Sequence, residues 1–188
     1  MINGLHYLSD FLAPNQEDDL LAAIDREPWL DDLKRRVQHY GYKYDYRARS
    51  VDLEMYLGAL PEWAQNVSNR LQSNGWFKVQ PDQLIVNEYQ PGQGIAPHID
   101  CEPCFADTIA SVTLGSGCSM DFTRLADATK KSMYLEPRSI VVLTGEARYD
   151  WKHSIAPRKS DPVDGLRVVR ARRVSLTFRN VLLKAAEA

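Results

Sequence analysis

The chain has 188 residues, 44% hydrophobic and 26% charged, with a formal net charge of −2 at pH 7; a unit of this kind buries roughly 70% of its unfolded surface and needs no disulfide or metal staple to fold. No apolar run approaches the ~20 residues of a spanning helix, so no membrane partner is expected. Three cysteines are too few for a disulfide framework, and Met1-Ile2-Asn3-Gly4-Leu5-His6 lacks the basic and apolar regions of a secretion signal, so the expected compartment is a reducing cytoplasm.

In chain order, residues 14–27 read as a helix. Pro14 and Asn15 lead it, Glu17, Asp18 and Asp19 suit its positive end, and Leu20, Leu21 and Ile24 form an apolar stripe. Residues 34–46 read as an extra strand or hairpin; its Tyr40, Tyr42, Tyr44 and Tyr46 are interleaved with a basic stretch, 34–49, that holds Lys34, Arg35, Arg36, Lys43, Arg47 and Arg49 against Asp45. Residues 61–73 form a second helix, with Trp63, Val67 and Leu71 at four-residue steps and Asn74-Gly75 closing it. Short β-type runs follow at 83–89, 109–114, 120–124, 133–135, 140–144 and 174–182. Residues 160–165 read as a surface loop, and Trp29, Trp63, Trp76 and Trp151 as core or helix-to-sheet contacts. Two leading helices and many short strands predict a mainly β, α+β fold: a jelly-roll sandwich buttressed by N-terminal helices, with residues 1–188 as a single domain. A second basic stretch, 158–184, carries eight basic residues against Asp161 and Asp164. The tyrosine-interleaved stretch suits phosphates and stacked bases and the second suits phosphates, the alternative being a solvated strand face with the tyrosines half in the core.

Candidate chemistry sits in three places. On a strand, His98 and Asp100 of Pro97-His98-Ile99-Asp100 would share a face and offer a metal one imidazole and one carboxylate. A third ligand should be a distant histidine; of His6, His39, His98 and His153, the last follows an apolar strand and is suitably placed. Two His and one carboxylate leave about three open positions, the set used by non-haem Fe(II) oxygenases, although His-x-Asp alone arises often by chance. In the run 173–179, Arg173, Ser175, Thr177 and Arg179 share one face and Val174, Leu176 and Phe178 the other. Two arginines inside a sandwich are costly without an anion; set roughly 20 Å apart, they could address the two ends of a small dicarboxylate, the alternative being a wet polar face. Asn87 and Tyr89 add a third polar face just before His98. Cys101-Glu102-Pro103-Cys104 has zinc-like spacing with Cys118 as a further candidate, but a structural zinc needs four ligands, and thiols close to the metal are expected instead. Arg148-Tyr149-Asp150-Trp151, ahead of His153, reads either as support for that ligand or as a packed corner.

In this order, Asn87-x-Tyr89, His98-x-Asp100, His153 and Arg173-x5-Arg179 resemble the AlkB family of Fe(II)/2-oxoglutarate dioxygenases over about residues 35–181. The likeness is greatest to the oxygenase domain of AlkB homologues that hydroxylate a modified wobble uridine in tRNA. It is carried by Arg36-Val37-Gln38-His39-Tyr40-Gly41-Tyr42, Tyr89-Gln90-Pro91-Gly92-Gln93-Gly94-Ile95, Thr144-Gly145-Glu146-Ala147-Arg148-Tyr149 and Pro157-Arg158-Lys159. The resemblance implies a double-stranded β-helix, Fe(II) held by His98, Asp100 and His153, and 2-oxoglutarate held through Arg173 at its distal carboxylate. Asn87, Tyr89 and Arg179, with Ser175 and Thr177 of the same strand face, would surround that cofactor, and O2 would be the co-substrate.

It also implies decarboxylation of 2-oxoglutarate to succinate coupled to hydroxylation of a C–H bond; on an N- or O-alkyl group the product loses formaldehyde, a net demethylation. The wobble-uridine enzymes carry an RNA-recognition module before the oxygenase and a methyltransferase after it, which these residues do not include. Ser175 stands where repair members typically carry Asn, which argues against base repair. The expected substrate is a modified base in RNA, foremost tRNA, met by a monomer through Arg36, Tyr40, Tyr42, Tyr46 and Arg158. The modest net charge keeps a protein or small-molecule hydroxylase or demethylase as the alternative, with an alkylated-nucleic-acid repair demethylase or a non-catalytic binding module behind it.

Overall fold

The structure, a computed structural model, describes residues 1–31 and 33–183; Lys184, counted in the second basic stretch, lies outside the described residues. Strand β1 (Leu5–Leu8) precedes helix α1 (Pro14–Arg26), β2 (Val37–Tyr40), a 3-10 turn at Leu53–Met55 and helix α2 (Glu62–Ser73). Next come β3 (Gln83–Tyr89), β4 (Ile95–His98), β5 (Ile109–Gly115), β6 (Cys118–Arg124), β7 (Lys130–Leu135) and β8 (Ile140–Leu143). Short helix α3 (Gly145–Tyr149), β9 (Trp151–Ile155), β10 (Ser160–Val163), β11 (Leu166–Val169) and β12 (Arg173–Arg179) complete the order. A six-stranded sheet, β1-β8-β5-β12-β3-β2, faces a four-stranded one, β4-β9-β6-β7, and β10 and β11 form a separate hairpin.

The period-2 alternation of β12 divides the large sheet into two faces. Val174, Leu176 and Phe178 turn away from the sandwich and pack with Leu84, Val86, Val112 and Val142 against Leu20 and Ile24 of α1 and Val67 and Leu71 of α2. Each such side chain is worth about 1.5–3 kcal/mol on full burial, so a one-residue slip that exchanged the faces is strongly disfavoured. The other face meets Met120, Phe122, Trp151 and Ile155 of the small sheet. Trp29, Trp63 and Trp76 pack on the helix-side core, in keeping with the sequence reading. Helix α1 starts at Pro14, where a missing N–H is harmless, and the Ala13 N–H donates to Gln16 Oε1 at 3.0 Å. Glu17, expected only to favour the helix end, accepts from the Gly115 N–H at 2.7 Å and from Arg138 Nη1 at 3.2 Å, tying α1 to the end of β5.

Two segments depart from expectation. Residues 34–46 yield only the short β2, paired with β3 from Val37↔Asn87 to Tyr40↔Leu84. Gly41 then turns the chain out of the sheet at φ 76°, where an added Cβ would strike the Asp82 carbonyl. Residues 160–165 are no plain loop: they open the β10–β11 hairpin, whose Asp164-Gly165 tip has positive φ at both residues. An Asp-Gly pair is a strong signal for such a turn.

Arg36, expected at the substrate, belongs to an ion network behind the sheet. Its Nε and Nη2 donate to Glu88 at 2.7 and 2.8 Å, and its guanidinium lies 4.9 Å from the Trp29 ring. Arg172 Nε reaches the same carboxylate at 2.6 Å and continues to Asp25. The Arg36 hydrogen bonds, opposed by burial and reinforced by Arg172, pull Glu88 from 4.5 down to about 2. The folded-state value lies below the unfolded one, so this stabilisation is complete above pH 4.5 and is lost as the pH falls through about 2; its size is on the order of 3 kcal/mol. Glu88→Gln is expected to lose about that much stability at neutral pH and to flatten the acid limb of thermal unfolding. An acid limb identical to wild type in a pH series of melts would refute the contribution.

Candidate metal centre and cofactor pocket

A cavity of about 690 Å³ opens between the two sheets. Its floor is the polar face of β12 with its neighbours: Arg173 lies opposite Tyr89 and Ser175 opposite Asn87 on β3, while Ser175 lies opposite Thr113 and Thr177 opposite Ser111 on β5. All six residues expected around a cofactor (Asn87, Tyr89, Arg173, Ser175, Thr177 and Arg179) line this one cavity. The alternation that buries Val174, Leu176 and Phe178 behind the sheet is the cause.

On the opposite wall the pairing of β4 with β9 sets His98 directly across from His153, with ring centroids 4.3 Å apart. Strand β4 ends at His98, so Asp100 is held by a loop and not by the strand that the spacing suggested. The ligand atoms of His98, Asp100 and His153 nevertheless all lie within 4.8 Å of one another. His98 Nδ1 sits 2.9 Å from the Ala96 carbonyl, a contact that places the proton on Nδ1 and leaves Nε2 for a metal. Asp100 Oδ1 accepts from Arg179 Nη2 at 2.8 Å, which leaves Oδ2, 3.8 Å from His153 Nε2, as the open oxygen. Burial opposes the ionisation of Asp100, but Arg179, the two imidazoles and Arg148 together hold its carboxyl below the usual range. Burial and the adjacent His98 push His153 down to about 4. At neutral pH the cluster therefore offers an ionised carboxylate and a neutral His153, the forms a metal requires.

The two β12 arginines do not share the task expected of them. Arg179 is committed to Asp100 and to Gln83 Oε1 at 3.1 Å, because the register places it beside Gln83 at the metal end. Arg173 is 3% exposed; its Nη2 donates to Thr113 Oγ1 at 2.9 Å, while Nε and Nη1 have no partner. An unpartnered buried cation is costly, and a carboxylate would satisfy it. This orphaned guanidinium, in the same cavity as a His-Asp-His cluster, fits 2-oxoglutarate beside iron.

Of the five residues expected at the substrate, only Tyr46 lines the cavity. Tyr40 packs edge-on against Trp63 at 5.3 Å, Tyr42 packs on Tyr56 at 5.0 Å, and Arg158 Nε binds Asp161 at 2.8 Å; Arg36 serves Glu88. The turn at Gly41 breaks the alternation of the tyrosines, so 34–46 is neither one strand nor a hairpin and its side chains do not share a face. The cavity mouth instead presents Arg35, Tyr44, Arg49 and Lys152 beside Tyr46. The first three belong to the basic, aromatic stretch already noted, whereas Lys152 carried no sequence signal. Tyr44 and Tyr46 meet edge-on at 5.0 Å, and Arg35 Nε donates to Asn87 Oδ1 at 2.8 Å. Cys101 and Cys104 form a disulfide, which corrects the expectation of thiols; among the described residues only the buried Cys118 is a free cysteine.

A family model described as the 2OG-Fe(II) oxygenase superfamily matches residues 32–179. The chain belongs to that superfamily, and its two facing sheets are the double-stranded β-helix; Fe(II) and 2-oxoglutarate are the cofactors that membership implies. Within the superfamily the likeness is to AlkB-type enzymes. The chain is 41% identical, over 96% of its length, to an "Alkylated DNA repair protein ALKBH8 homolog" of Arabidopsis thaliana, and spans 59% of that protein. It is 40% identical, over 85% of its length, to the Mus musculus "tRNA (carboxymethyluridine(34)-5-O)-methyltransferase ALKBH8", and spans 25% of it. The solved structure of OsALKBH1 superposes with a TM-score of 0.71 over 94% of this chain and 96% of that one, at 18% identity.

Arg173→Met is expected to weaken 2-oxoglutarate binding roughly 10- to 100-fold, the loss of charge-assisted hydrogen bonds, with Mn(II) affinity retained; titration calorimetry separates the two. Thiol titration in denaturant should find one reactive cysteine without reductant and all three after reduction. Three thiols in the untreated protein would remove the disulfide.

Proposed function

We propose that this oxygenase hydroxylates or oxidatively demethylates a modified base in RNA, foremost tRNA, as a monomer. The observation that carries the proposal is the cavity mouth, where Tyr44 and Tyr46 stand beside Arg35, Arg49 and Lys152. Aromatic rings suit a base lifted out of its stack, and adjacent cations suit its flanking phosphates. Both relatives carry names that refer to nucleic acid, alkylated DNA in one and carboxymethyluridine of tRNA in the other, which supports a base as the target.

In this reading His98 Nε2, Asp100 Oδ2 and His153 hold Fe(II), and Arg173 holds the distal carboxylate of 2-oxoglutarate. When bound, the metal and the oxo acid would supply the oxidising power for placing one oxygen atom of O2 in a substrate C–H bond. The protein contributes position. Arg179 keeps Asp100 ionised and turned toward the imidazoles. Arg35, bonded to Asn87, joins the cofactor end of the cavity to its mouth. Tyr44 and Tyr46 line the cavity, so that a base seated against them would exclude water from the reacting centre.

The decisive assay supplies Fe(II), 2-oxoglutarate, O2 and total tRNA, and follows succinate together with mass spectra of the digested nucleosides. One added oxygen on a uridine derivative establishes hydroxylation, and a lost methyl establishes demethylation. Succinate above a His98→Ala control with unchanged nucleosides would move the substrate to proteins or small molecules. Arg49→Ala should lower the slope of log affinity for tRNA against log salt by about 1 and leave RNA-free succinate formation unchanged; equal loss of both activities would contradict its assignment to the RNA.

A further inference from the structure

Arg148, five positions before His153, does more than help hold the Asp100 carboxyl ionised. It is 2% exposed, one of the most deeply buried side chains of the protein. Its guanidinium bonds to main chain: Nη1 donates to the Asp100 carbonyl at 3.0 Å, and Nη2 to those of Cys101 and Phe105 at 3.4 and 3.5 Å. The group also lies 4.9 Å from the Tyr149 ring, and its Nε has no partner. Holding a guanidinium away from water on neutral acceptors costs several kcal/mol. All three acceptors belong to one loop, the one that begins at Asp100.

The geometry of that loop explains why such a clamp is useful. His98 and His153 are set by a β ladder in which they are a direct pair. Asp100 lies two residues past the end of β4, beyond ladder support. The far end of the loop is tied to the chain after β12, through Ala106 N–H to Asn180 O at 2.9 Å and Leu182 N–H to Cys104 O at 2.8 Å. Its near end, at Asp100, is held by Arg148. Arg179 aims the carboxylate, but a side chain is aimed reproducibly only from a fixed Cα.

We infer that Arg148 is the positioning residue of the metal site: it fixes the main chain of Asp100, so that Oδ2 stays in register with the imidazoles of His98 and His153. Helix α3 runs directly into β9, so one short segment carries both the clamp on the Asp100 loop and the strand-borne His153 ligand. The inference rests on reading His98, Asp100 and His153 as the metal ligands.

The test uses Mn(II) as the probe ion with the full chain and needs no turnover. Arg148→Met keeps the stem and removes the fork; Arg148→Lys keeps the charge and removes the fork. Mn(II) affinity at 25 °C is read by calorimetry and the uniformity of the bound ion by electron paramagnetic resonance, beside thermal melts of the metal-free proteins. Both variants should bind Mn(II) roughly 10- to 100-fold more weakly, the usual loss when the partner that orients a ligand is removed, with a broadened Mn(II) spectrum, at a temperature where both are folded. A lower melting temperature with Mn(II) affinity within about twofold of wild type would make Arg148 a packing residue and overturn the inference, as would failure of both variants to fold. If wild type binds Mn(II) no better than His98→Ala, the ligand assignment itself has failed, and the inference falls with it for a reason the control identifies.

Discussion

Everything in this protein that concerns chemistry depends on the antiparallel placement of β12 between β3 and β5. The strand has an apolar row and a polar row, and only one register buries the first against α1 and α2. That choice forces the second row, with Arg173, Ser175, Thr177 and Arg179, into the space between the sheets. The free energy that puts a polar strand face inside a sandwich is thus the hydrophobic free energy of its other face. The cavity and the fold have one origin.

Within the cavity the buried arginines divide the work by what each one lacks. Arg179 and Arg148 each lack a partner only at Nε; the terminal nitrogens of the first bind the Asp100 carboxylate and Gln83, and those of the second bind carbonyls of the loop that bears Asp100. Arg173 is left with unpartnered N–H groups. A satisfied guanidinium orients a neighbour, whereas an unsatisfied one calls for a ligand. This distinction separates the positioning of a metal ligand from the capture of a dicarboxylate.

The arginines of the two basic stretches behave differently. Arg36 and Arg172 share the buried Glu88, and Arg158 and Arg170 share the buried Asp161. Much of the local positive charge is therefore cancelled inside the protein. The cations left at the cavity mouth, Arg35, Arg49 and Lys152, are fewer than composition suggests, and they stand next to Tyr44 and Tyr46. A small, well-placed cationic rim is compatible with a chain whose net charge is −2.

The sequence by itself determined what depends on local pattern. The two helices follow from their starts and apolar stripes, β3 from its β-type run, β12 from its alternation, and the ligand set from the order and spacing of rare residue types in His98-x-Asp100, His153 and Arg173-x5-Arg179. Strands β1 and β9 are not legible, because so few residues carry no decisive periodicity and their pairing supplies the structure, whereas the equally short β8 shows as an unbroken apolar run. Only the tertiary structure decided which side of Gly41 the tyrosines face, that Arg36 serves Glu88 and Arg179 serves Asp100, that Cys101 and Cys104 are bonded, and that Arg148 holds the Asp100 loop. Each is a contact between residues far apart in the chain or across a turn, selected by burial and hydrogen bonding in three dimensions, and local pattern carries no record of the partner.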